Sequence, residues 1–161
     1  QAANSQRYFP RHGFNDTNSA KELDELGLMP EKEAHRSLSV GWTDLDASYE
    51  TGWHPNPQRV RCVKLMKDHG IDTTDPNALA AALDACDNLW FIQLVMNRMT
   101  GTISVDGFVN VVNTLRYEYL STLSFATYFS ASRHDGVAGV RIMNFVDSCS
   151  CYKFLTTPYK V

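Results

Sequence analysis

The sequence predicts an α/β fold, and three observations carry that reading. Two successive stretches, from Asn56 and from Asp75, each open with a capping side chain and a proline at the first helical position. The final stretch, "VRIMNFVDSCSCYKFL", alternates on either side of a short turn, the pattern of two paired strands. An earlier run, "RSLSVGWT", alternates in the same way. Helices packed on a sheet whose last strands form a hairpin satisfy all three.

Taken in order, "RYFPRHGF" reads as a short strand kept off a sheet centre by Pro10, followed by the polar loop "NDTNS". "SAKELDELGLM" reads as a short helix: Ser19 caps it, Glu22 completes a capping box and Gly27 stops it. In "RSLSVGWT", Leu38, Val40 and Trp42 share one face at period two. "DLDASYETGWHP" is a loop.

"NPQRVRCVKLMKDHG" is a helix capped by Asn56, opened by Pro57 and ended by Gly70. Cys62, Val63, Leu65 and Met66 form its apolar side, which leaves Arg59, Arg61, Lys64 and Lys67 for solvent. A longer helix is capped by Asp75, opened by Pro76 and runs toward Gly101. Its Ala-rich first half admits a close neighbour. Its second half carries Trp90, Phe91, Leu94 and Val95, and apolar residues nearly all round predict deep burial. Ser104 caps a third helix to about Leu115, with Phe108, Val111, Val112 and Leu115 at helical spacing. "LSFATYF" and "SRHDG" then lead to the terminal hairpin, its turn placed at Ser148 to Ser150.

The totals fit one soluble globular segment. A chain of 161 residues supports one real core. The longest apolar run, "LWFIQLVM", is interrupted by Gln93 and falls short of a membrane span. "QAANSQRYFPRH" lacks the apolar centre of a signal peptide, as a mature exported chain also would. Net charge is −3 and the basic residues are scattered, so no basic stripe marks a nucleic-acid partner.

Four cysteines permit three pairings. The favoured one joins Cys62 to Cys86, which lie on successive helices, and leaves Cys149 and Cys151 to pair across the hairpin turn. The first closes a loop that stabilises by about 3.5 kcal/mol on the chain-entropy account. The second closes a very small ring, which gains little and is easily reduced. Zinc sites are commonly built from two spaced pairs such as C-x-x-C, and these spacings do not match. Structural fastening outweighs metal binding and redox catalysis, and neither a metal nor a cofactor is expected.

"SRHDG" has the look of a catalytic loop, with His134 between Arg133 and Asp135. A general base needs an orienting partner and a nucleophile in reach, and adjacent residues on a strand point to opposite faces. A turn closed by Asp-Gly is the simpler reading. His12, His35, His54 and His69 show no ligand spacing. Trp42, Tyr49 and Trp53 lie in or beside loops, where aromatics either pack or line a ligand pocket.

Several stretches together resemble a known family: "SQRYFPRHGF", "VGW", "NPQRVRCVKLM", "CDNLWFIQLVMNRM", "ISVDGFVNVVNTL" and "LSFATYFSASRHDGVAGVRIMNFVDSCSCYKF". They are similar, in order and over nearly the whole chain, to the C-terminal portion of bacterial extracellular solute-binding proteins of ABC importers. The family is the branched-chain-amino-acid type, and its actinobacterial members have a late "RHDG" and a terminal "C-x-C-[FY]". The resemblance implies a type I periplasmic-binding fold, with helices on a mainly parallel sheet and two lobes around a ligand cleft. Residues 1–161 would then form a single segment, the C-terminal part of such a protein, with the core of the N-terminal lobe absent. On this resemblance the sequence is a fragment of a longer chain, or a natural short relative that has lost the ligand clamp, or one half of a receptor whose other half is a second chain.

The resemblance further implies an exported protein at the cell surface, its signal peptide removed, with a lipid anchor in the full-length form. It would bind an amino acid or a similar small polar molecule, deliver it to an ABC permease and carry out no chemistry. The family's cleft position falls on Thr17, Asn18 and Trp42. A lobe separated from its partner exposes apolar surface, so association of copies is a further expectation. Two alternatives stand beside this reading: a ligand-sensing or regulatory receptor of the same fold, and a hydrolase using His134 and Asp135.

Overall fold

The computed structural model describes residues 13–15, 37–43, 55–146, 148, 151–155 and 159–160. Over these the chain forms strands β1 (Gly13–Asn15) and β2 (Leu38–Gly41), helices α1 (Pro57–Asp68), α2 (Pro76–Arg98) and α3 (Val105–Val112), and strands β3 (Gly139–Val146), β4 (Cys151–Phe154) and β5 (Tyr159–Lys160). The chain divides into two compact units, residues 1–53 with 140–159 and residues 54–139 with 160–161. Mixed α and β structure agrees with the sequence reading. The expected helix at "SAKELDELGLM" and most of the expected first strand lie outside the described residues.

In the first unit the sheet order is β1-β2-β3-β4, with β5 also paired to β3. β1 runs parallel to β2, while β2–β3 and β3–β4 are antiparallel. The described sheet is therefore mixed, where the sequence reading expects a mainly parallel one. The short connection accounts for part of this: Val146 pairs with Cys151, and strands joined so closely can only run antiparallel. The hairpin itself falls where expected. Met143, Phe145 and Phe154 are buried, and the Arg141 guanidinium lies 4.2 Å over the Phe154 ring.

β2 is arranged less simply than its alternation suggests. Leu38 and Val40 share a face as period two requires, but it is the open face, with both residues about 40% exposed. Ser37, Ser39, Gly41 and Thr43 are buried instead. Period two fixes which residues share a face but not which face is covered, and here the covered face is the one with the small side chains.

The helical unit is built from caps outward. Asn56 Oδ1 accepts from Arg59 N at 2.9 Å, Asp75 Oδ1 from Ala78 N at 2.8 Å and Ser104 Oγ from Gly107 N at 3.1 Å. Each cap satisfies one of the amide groups left without an intrahelical partner in a first turn. Gly70 ends the first helical stretch at φ 74°. Arg59 is buried, contrary to the solvent position expected of it, while Leu65 is 41% exposed. An arginine this close to a helix start covers neighbouring surface with its long stem while its head is held.

α2 also departs from expectation. Leu83, Cys86 and Val95 are buried, but Leu89 is 66% exposed and Ile92 48%. Its neighbours within the unit cover one side only. By length and composition the stretch Asn77–Arg98 reaches what crossing a membrane requires. Its disulfide and its bonded Asp87, described below, are features of a helix packed among others.

Val95, Val112 and Leu115 centre the core, with Phe91, Leu94, Phe108, Val111 and Phe129 packed around them. Phe91 is the hub: its ring meets Tyr119 edge-on at 5.1 Å, Phe108 at 6.2 Å, and Phe129 in a tilted arrangement at 5.0 Å. After α3 the chain folds into short antiparallel bridges, Arg116 with Phe129, Thr127 with Val137 and Ser130 with Arg133. Ser130 and Arg133 exchange both backbone hydrogen bonds around a two-residue turn, at 3.0 and 3.1 Å. Gly136 sits at φ 75°, and a Cβ built there would lie 2.8 Å from the Phe129 ring.

That contact separates two glycines of similar backbone conformation. Gly136→Ala is expected to destabilise by roughly 2–4 kcal/mol, because it combines a left-handed backbone with a steric clash. Gly70→Ala, at φ 74° with nothing near the added carbon, is expected to cost only about 1–2 kcal/mol. Urea denaturation of both variants measures the difference.

Candidate functional site

The sequence-predicted residues fall in different places. Thr17 and Asn18 lie outside the described residues, as does Cys149. Cys151 begins β4. Trp42 follows β2 and is half-buried. Cys62 and Cys86 come together as a disulfide, with Sγ atoms 2.08 Å apart and Cα atoms 6.1 Å apart. The Cα separation lies inside the ordinary range for such a bond.

His134 and Asp135 do not form a pair. His134 Nε2 lies 3.0 Å from the main-chain oxygen of Ala131, while Asp135 Oδ1 accepts from Arg133 Nε at 3.0 Å. Arg133 also donates to the Val137 carbonyl. Those three side chains hold the turn. Among the described residues no group of three or more His, Cys, Asp or Glu side chains is placed to hold a metal ion.

Next to Cys86 lies a residue that sequence reasoning passed over. Asp87 Oδ1 accepts from the Tyr119 hydroxyl at 2.8 Å and from Thr122 N at 2.7 Å, and Oδ2 accepts from the Ser121 hydroxyl at 3.1 Å. The Tyr119 hydroxyl also lies 2.6 Å from the Asp87 main-chain oxygen. Thr122 Oγ1 donates to the Leu83 carbonyl at 2.7 Å. The segment after α3 is thereby fastened to the middle of α2. Burial, reinforced by the adjacent Asp87 carboxylate, pushes the Tyr119 phenol far above the ordinary tyrosine range.

One turn along α2 from this knot, a half-open cleft of about 250 Å³ lies wholly within the helical unit. Gln58 and Arg61 of α1 form one wall, Trp90, Gln93, Leu94 and Asn97 of α2 the floor, and Glu118, Tyr119 and Leu120 the other wall. The helical positions follow from spacing, since residues 90, 93, 94 and 97 share one helix face. Arg61 lies 4.2 Å over the Trp90 ring. At the rim Glu118 pairs with Arg98. Gln58 Oε1 is buried without a hydrogen-bond partner among the described residues. Chemically the cleft offers a guanidinium, several amides and an aromatic surface, which suits noncovalent capture of a small polar molecule.

No protein-family model, curated protein or solved structure matches the chain.

Two expectations follow for the framework around the cleft. Replacing both Cys62 and Cys86 by alanine is expected to lower stability by about 3.5 kcal/mol, read from denaturant midpoints. Asp87→Ala leaves the Thr122 amide and the Ser121 hydroxyl without the carboxylate they donate to, and the Tyr119 hydroxyl with only the main-chain oxygen, and is expected to cost roughly 2–4 kcal/mol. The phenol adds a pH dependence. Its folded value lies above its unfolded one, so its contribution is complete below the ordinary tyrosine pKa of about 10. It declines as pH rises beyond that point, because the unfolded chain then releases a proton that the folded chain keeps. An alkaline titration followed by tyrosinate absorbance should show one tyrosine that ionises only as the protein unfolds, and Tyr119→Phe should remove it.

Proposed function

We propose that this chain is the C-terminal part of an extracellular solute-binding component of an ABC importer for amino acids or similar small polar molecules. The resemblance of six stretches in order supports this reading, and the Cys62–Cys86 crosslink is the structural observation that carries it. Disulfides persist in oxidising compartments outside the cytoplasm, where such receptors work. In this reading the described strands belong to a larger, mainly parallel sheet of the type I periplasmic-binding fold.

Binding would be reversible and without chemistry. Solute would bridge two lobes and favour the closed form through contacts made only there. The closed form would then be recognised by the membrane permease. The placement of His134 on a backbone carbonyl and of Asp135 on Arg133 favours this role over a hydrolase. Thr17, Asn18 and Trp42 are the proposed solute contacts.

Calorimetric titration of amino acids, amides and ureas into the protein, with its complementary lobe present, is the direct test. Heat from at least one compound is expected, with affinity lowered roughly tenfold by Trp42→Ala, a loss typical of removing one well-packed aromatic contact. His134→Ala is expected to leave binding unchanged. Silence across the whole panel would overturn the proposal.

A further inference from the structure

We propose that the cleft of the helical unit is a second binding site, built for a small 2-hydroxy carboxylate with a short apolar tail. Every lining residue falls within 54–139, and none of the solute contacts named above is among them. The proposal stands or falls independently of the importer reading.

Arg61 supplies the anion-binding group. Its guanidinium is laid over Trp90 at 4.2 Å, and among the described residues it makes no hydrogen bond or ion pair. Stacking on an aromatic face restrains the guanidinium plane while its N–H donors point outward along the edge. A carboxylate meets such an edge with two parallel hydrogen bonds. No competing anion occupies Arg61, because Glu118, the one carboxylate of the cleft, is engaged by Arg98.

Gln58 supplies the second contact. It precedes Arg61 by three positions on α1, so both project from one side of the helix. Its buried Oε1 lacks a donor, a state that costs free energy until an N–H or O–H arrives. A hydroxyl on the carbon next to the carboxylate provides that donor. An ammonium would also donate, but it would bring a positive charge beside Arg61 with no uncommitted carboxylate to balance it. The cleft therefore favours the monoanionic hydroxy acid over the zwitterion. Trp90, Leu94 and Leu120 receive the apolar tail, and the volume of about 250 Å³ suits a ligand of this size rather than a nucleotide.

The test uses the intact chain and 2-hydroxyisovalerate as probe, followed by the indole N–H signal of Trp90 in nitrogen-edited NMR. Trp90→Phe identifies that signal among the three tryptophans. Saturable displacement of the Trp90 signal by 2-hydroxyisovalerate is expected, with isovalerate, which lacks the hydroxyl, binding several-fold more weakly. Arg61→Gln should weaken binding roughly tenfold or more, as expected for loss of a charge-assisted pair. Gln58→Leu should abolish the advantage of the hydroxy acid over isovalerate. Arg61 is exposed, so its replacement should leave the fold intact, which circular dichroism confirms. Three results would each overturn the proposal: an unmoved Trp90 signal, equal affinity in Arg61→Gln, or valine binding as tightly as 2-hydroxyisovalerate.

Discussion

The Asp87 carboxylate is the interaction on which the helical unit most depends. Three donors from one irregular stretch, Tyr119, Ser121 and Thr122, converge on it. That stretch has no regular secondary structure of its own to satisfy its polar groups, and buried backbone must find partners somewhere. Asp87 and the Leu83 carbonyl provide them from α2. Hydrogen bonds to an ionised acceptor are stronger than neutral ones, so a single side chain can hold the stretch from Tyr119 to Thr122 in place.

Cys86, its neighbour in sequence, is linked to α1. Two adjacent residues of one helix thus tie it to the element before and to the segment after. The consequences reach the cleft. Gln58 and Arg61 belong to the helix held by the disulfide, and Glu118 to Leu120 belong to the segment held by the carboxylate. Both walls are anchored within one turn of the floor. A binding surface gains affinity when its groups are fixed in advance, because less freedom is lost on association.

What was legible in the sequence was local. Asn56, Asp75 and Ser104 could be read as caps because a cap bonds to an amide three residues away. The hairpin could be read because its strands are neighbours in the chain. Asp87 could not, since its partners lie more than thirty residues away and nothing near it announces them. The same holds for β2, where Ser39 is fully buried while Val40 is not. Hydropathy ranks residues by their own transfer energies and does not say which face of a strand the rest of the fold covers. The cysteine pairing falls between these cases: helix order suggested it, and the fold brought the two Cα atoms within reach. The cleft was invisible in advance because Arg61 looked like one more solvent-facing cation, and only the position of Trp90 distinguishes it.

"SRHDG" shows the opposite error that residue identity invites. A histidine flanked by an arginine and an aspartate suggests chemistry, yet each of the three is engaged in holding a turn. Arg133 bridges Asp135 and the Val137 carbonyl, and His134 lies against the Ala131 carbonyl. The glycine that closes the motif is required for a reason unrelated to catalysis, because the Phe129 ring occupies the space of its missing side chain. Phe129 in turn packs on Phe91 at the centre of the core. The motif's residues are therefore constrained from beneath by the aromatic cluster as well as by the turn. A string of polar residues can be fixed in type by the packing under it, and in that case its chemistry describes the fold rather than a reaction.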